Sequence, residues 1–157
     1  MATIPIQIHA LLSIPVDSTT DFTVLAGHSE NLADALLHRD DPALRAALCR
    51  RLAYCLGLLR PTLNDTIPTH LIESLTVDEL PTHSPRFEPD ADLLCDYSRA
   101  LARLLTERTL SAEMEPVLAG LMFELVSYLA DELRAPRWIR TADGVKFIEE
   151  LEMVKEN

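Results

Sequence analysis

Glycine is scarce in this chain: four in 157 residues, none near another. That scarcity excludes the glycine-rich loops that cradle phosphates in P-loop and dinucleotide-binding proteins. There is no GxSxG for a nucleophile elbow. His38-Arg39-Asp40 repeats the letters of a kinase catalytic loop, but the other kinase signatures are missing and the match is chance. The five histidines make no HxxxH or HExxH pair, so the sequence offers no ready metal site. Cysteine is limited to Cys49, Cys55 and Cys95, an odd number with no CxxC spacing, which suits reduced, mostly buried thiols in a cytoplasmic protein. Bases are outnumbered, 14 against 25 acids, for a formal charge of −11. A field of that sign opposes direct binding of nucleic acid phosphates. The start, MATIPIQIHALL, lacks the basic residues of a secretory leader. The longest strongly apolar run, 117–130, includes Glu124 and is too short to span a bilayer, so no membrane contact is expected.

What the chain does have is helical periodicity. With 48% hydrophobic and 25% charged residues it is composed like an ordinary globular protein. The expected fold class is all-α: a single-domain bundle, residues 1–157, of about five main helices. The bundle is expected to form around a central apolar helix at 116–134. Within that stretch Gly120, Glu124, Ser127, Asp131 and Arg134 recur at steps of four, three, four and three. They form one narrow polar line, and the apolar remainder of the circumference calls for other helices to wrap it.

Around this centre the other elements follow from local signals. A first helix is expected at 21–38, with Leu25, Leu32 and Leu36 inward and Gly27 as a possible bend. A second follows Asp41 as cap and Pro42 at the first helical position, with Leu44, Leu48, Leu52, Cys55 and Leu59 as its stripe and Arg45, Arg50 and Arg51 turned away. Residues 61–89 hold five of the ten prolines and form a connector inside the domain, with short helical turns at 69–75 and 77–80. A third helix starts from Asp90 and runs to about Arg108. Trp138-Ile139-Arg140 reads as an extended link. A last helix is expected from Thr141 or Asp143 to Lys155, with Val145, Ile148, Leu151 and Met153 inward. At the N-terminus, Ile4, Ile6 and Ile8 alternate with Pro5, Gln7 and His9, the period of a half-buried strand. Residues 1–16 are therefore expected to be an extended arm, and the three isoleucines a possible homodimer contact.

The candidate functional residues are few. Arg134, Arg137, Arg140 and Lys146, with Asp143 alone against them, surround the only tryptophan, Trp138. Tryptophan and arginine are enriched at binding hot spots, and a basic island on an acidic chain suits an acidic partner. Glu124 and Asp131 are weak catalytic candidates, since carboxylates on a buried helix would be held protonated. His70 and Glu73, one helical turn apart, are the weak metal candidates. The functional expectation is a non-enzymatic cytoplasmic protein that binds another protein and needs no cofactor: an adaptor, chaperone, inhibitor or immunity-type protein. A small carboxylate- or metal-dependent hydrolase and an acidic nucleic-acid mimic are the alternatives.

Overall fold

Apolar residues spaced at three and four dominate this chain, and the fold follows that spacing. In the computed structural model, which describes residues 6–82 and 86–148, the chain is of the all-α class. Among the described residues are five α-helices: α1 (Ile6–Ser13), α2 (Phe22–Leu37), α3 (Pro42–Leu59), α4 (Ala91–Thr106) and α5 (Met114–Arg134). The strands β1 (Trp138–Thr141) and β2 (Gly144–Phe147) make a two-stranded antiparallel sheet. Contacts divide the chain into two compact units, Met1–Leu80 and Pro81–Asn157, and the break falls in the proline-rich stretch.

In the first unit α2 packs on α3, and α1 packs on both. Leu25, Leu32, Leu48 and Cys55 are almost completely buried, with Ile8 and Val16 beside them. Each such side chain contributes about 1.5–3 kcal/mol relative to exposure. The start of α3 is built as its sequence predicts. Pro42 takes the first position, and Leu44 N–H donates to Asp41 Oδ1 at 2.7 Å, satisfying one of the orphan N–H groups of the first turn. Gly27 does not split α2, which runs unbroken.

Two arginines of α3 do more than turn away from the core. The Arg45 Nη1 donates to Leu36 O at 2.9 Å and to Arg39 O at 2.8 Å, satisfying one carbonyl at the end of α2 and one just beyond it. Arg51 donates through Nη2 to Ile14 O and lies 5.5 Å over the Tyr54 ring, tying the segment after α1 to α3. The connector forms 3-10 turns at Arg60–Asn64, Thr69–Leu71 and Glu73–Leu75, as expected for 69–75. Within 77–80 the chain makes a bend at Asp78 and Glu79 instead of a further helical turn.

The extended arm is corrected. From Ile6 onward the N-terminal segment is helical, and Ile8 is 3% exposed in the core, with Leu11 and Leu12 packed against that cluster. Three alternating residues are too few to separate a period of two from one of 3.6, and the Ile8-Leu11-Leu12 spacing is helical. Ile4 and the side chain of Ile6 lie outside the described residues. Burial of Ile8 removes it from any dimer contact. Cysteine burial also differs: Cys55 is buried, whereas Cys49 and Cys95 are exposed, because they lie off the inward stripes of α3 and α4.

In the second unit α4 packs against α5. The inward positions of α5, Leu118, Met122, Leu125 and Leu129, recur at four, three and four, a single stripe. Val117, Leu121, Phe123 and Val126 are exposed, so the helix is not wrapped all round, although Ala119 and residues 127–130 are also half-buried. The start of the last helix is corrected as well, whereas Ile148, the last described residue, is helical. After Pro136 the chain forms β1, turns at Ala142-Asp143 and returns as β2, so Val145 is a strand residue. Gly144 has φ +113°, a conformation that L side chains rarely adopt, and it makes the turn possible. Leu151 and Met153 lie outside the described residues.

Candidate functional site

The hairpin gathers part of the basic island around the tryptophan. Trp138 pairs with Phe147, and Arg140 with Val145, so these four share one face of the sheet. The Trp138 and Phe147 rings are 5.9 Å apart between centroids at 55°, a tilted aromatic contact. Even so, Trp138 remains 62% exposed and Val145 60%. The pairing continues one step past β2, where Ile148 N–H donates to Arg137 O at 3.0 Å. Beside it, Arg137 lines a shallow cleft of about 420 Å³ with Glu132, Ala135, Pro136, Phe147 and Ile148.

The other cations are placed differently. Lys146 pairs with Ile139 across the sheet, on the face opposite Trp138, and its Nζ lies 3.7 Å from Asp143 Oδ2. Arg134 is exposed in the last turn of α5, where a cation complements the helix dipole. Among the described residues, Arg134, Arg137 and Arg140 make no ion pair. The sequence placed the island but missed Phe147 as the partner of Trp138. The signal was available: Ala142-Asp143-Gly144 between Trp-Ile-Arg-Thr and Val-Lys-Phe-Ile is a turn sequence flanked by β-forming residues.

The carboxylate candidates do not converge on a buried pocket. Glu124 and Asp131 are both exposed on α5, and Ser127 between them is half-buried. The narrow polar line is thus largely the solvent edge of the helix. His70 and Glu73 fall on consecutive 3-10 turns. His70 Nε2 is 2.9 Å from Asp21 Oδ2, tying the connector to the start of α2 across 49 residues of sequence. Among the described residues, no group of three or more His, Cys, Asp or Glu side chains is arranged to hold a metal ion.

Near that pair lies a cleft of about 370 Å³, lined by residues 18–22 and by 62, 63 and 65–68. Several of its hydroxyls are already used internally. Thr19 donates through N–H and Oγ1 to Asp17 Oδ1 at 2.8 and 2.6 Å, and these bonds hold the Asp17 carboxyl below its ordinary pKa. Thr62 Oγ1 donates to Leu59 O at 2.8 Å. Deeper in the first unit, His28 is 5% exposed with no partner at Nε2, and burial, then the nearby Arg51 charge, lowers its pKa. Burial raises the pKa of the Cys55 thiol, which leaves it a packing residue rather than a nucleophile.

Among the described residues, no helix is long and apolar enough to cross a membrane. No family model, no curated protein and no solved structure matches the chain.

Proposed function

We propose that this chain is a non-enzymatic protein-binding module of the cytoplasm, of the adaptor, chaperone, inhibitor or immunity type, whose partner is another protein. The observation that carries the reading is the exposed Trp138, in tilted contact with Phe147 on one hairpin face with Arg140 and Val145, while Arg137 lines a cleft with the same Phe147. An aromatic anchor with guanidinium groups is the composition of a binding hot spot. On a chain of formal charge −11, this basic face supports an acidic protein surface as the partner. Three free cysteines support a reducing compartment.

The test is capture of the partner from the cells of origin with the unaltered chain, with Trp138→Ala, and with Arg137→Glu combined with Arg140→Glu. Trp138 is the only tryptophan, so its fluorescence then reports binding of the purified partner at the proposed face. Truncating a hot-spot residue costs about 2 kcal/mol or more, so each variant is expected to bind at least about thirtyfold more weakly. A partner retained equally by all three proteins would refute the proposed face.

A further inference from the structure

Helix α4 carries two parallel stripes, and the fold of its own unit buries one. Leu94, Ser98, Leu101 and Leu105 face inward, with Leu94 0% and Ser98 8% exposed. One residue earlier at each step stand Leu93, Tyr97, Ala100 and Leu104, again at four, three and four. Leu93 is 43% and Tyr97 44% exposed, Ala100 is exposed and Leu104 half-buried. This second stripe has the spacing of a coiled-coil seam.

The charges along its outer edge identify what fits there. Asp92 and Asp96 precede the middle of the helix, and Arg99 and Arg103 follow it. Arg99 now reaches Asp96 within the same helix at 3.3 Å, with both side chains more than 60% exposed. We infer that the Leu93-Tyr97-Ala100-Leu104 stripe binds a second copy of this chain, with the two α4 helices antiparallel about a twofold axis. In that arrangement Leu93 meets the partner's Leu104, and Tyr97 meets the partner's Ala100. In that register Asp92 lies two residues, about 3 Å along the axis, from the level of the partner's Arg103, and Asp96 the same distance from that of the partner's Arg99, within reach of the arginine side chains. One register satisfies both the apolar and the charged pairs, which is the self-complementarity an isologous interface requires. A parallel pairing would instead set acid against acid and base against base.

The test is the mass in solution of the full chain and of two charge-swapped variants. Asp92→Arg with Asp96→Arg makes the edge wholly basic, and Arg99→Asp with Arg103→Asp makes it wholly acidic. All four positions are exposed, so far-UV circular dichroism should show the helical signal retained. The unaltered chain is expected at twice 17.5 kDa, each variant alone at 17.5 kDa, and an equimolar mixture of the two variants again at twice that mass. Recovery in the mixture reports edge complementarity, which a general loss of folding would not restore. A single-chain mass for the unaltered protein at about 100 μM, well above the range of stable dimers, would overturn the inference. So would variants that remain dimeric alone, or a mixture that stays monomeric. The hairpin face plays no part in this contact, so this result is independent of the partner-capture result.

Discussion

Replacing Ile8 by Ala probes the N-terminal segment directly. As part of a solvated arm, Ile8 would contribute almost nothing, whereas the fold places it 3% exposed among Val16, Leu25, Leu32, Leu48 and Cys55. Truncation removes buried methyl and methylene groups and leaves a cavity that the neighbouring leucines fill only in part, a loss of about 2–5 kcal/mol. An eight-residue helix is too short to be stable by itself, so α1 depends on this packing and should fray with it. With a urea slope of about 2 kcal/mol per molar, the unfolding midpoint read by circular dichroism should fall by about 1–2.5 M. Ile8→Val should cost a graded, smaller amount of about 0.5–1.5 kcal/mol. Leu37→Ala, at a residue 81% exposed, serves as the control and should stay within about 0.5 kcal/mol. A loss at Ile8 no larger than at Leu37 would refute both the helix docking and the argument from burial.

Two further expectations concern pH and the hairpin turn. Because burial and Arg51 lower the pKa of His28 from 6.5, the unfolded chain binds a proton there more readily than the folded one. His28 should therefore cost stability as pH falls below about 6.5, until the folded form is protonated too, and His28→Gln should flatten the profile between about pH 7 and pH 5. Identical profiles for the two proteins would remove His28 as the cause. At Gly144, with φ +113° and open space around it, Ala should cost about 1–3 kcal/mol through backbone strain alone. Loosening of the hairpin should show as a change in Trp138 fluorescence, and an unchanged spectrum and melting curve would contradict the turn geometry.

The helices with strong terminal signals were legible in sequence. Asp41-Pro42 set the start of α3 through local chemistry that needs no distant partner, and Pro61 and Pro136 ended elements because a missing N–H and a fixed φ act wherever they stand. The class, all-α, followed from periodicity for the same reason. Residues 141–147 were read as the start of a helix because Val145 and Ile148 also fit a 3.6-residue period. The Ala142-Asp143 turn followed by Gly144, which outweighs that pattern, creates strand pairs that exist only when both sides are present. The candidate site divided in the same way. The cluster of Arg137, Trp138 and Arg140 was visible as composition, but Phe147 joins it only through strand register, which also sends Lys146 to the opposite face.

What the sequence by itself determined is therefore the all-α class, the four longer helices α2 to α5, the cap of α3 and which residue types needed burial. The tertiary structure decided which faces receive it. Ile8 went into a core that alternation alone did not reveal, whereas the apolar flanks of α5 and the second stripe of α4 were left exposed. The physical reason is that hydrophobic attraction has no direction: a sequence records how much apolar surface must leave water, and only packing specifies against what.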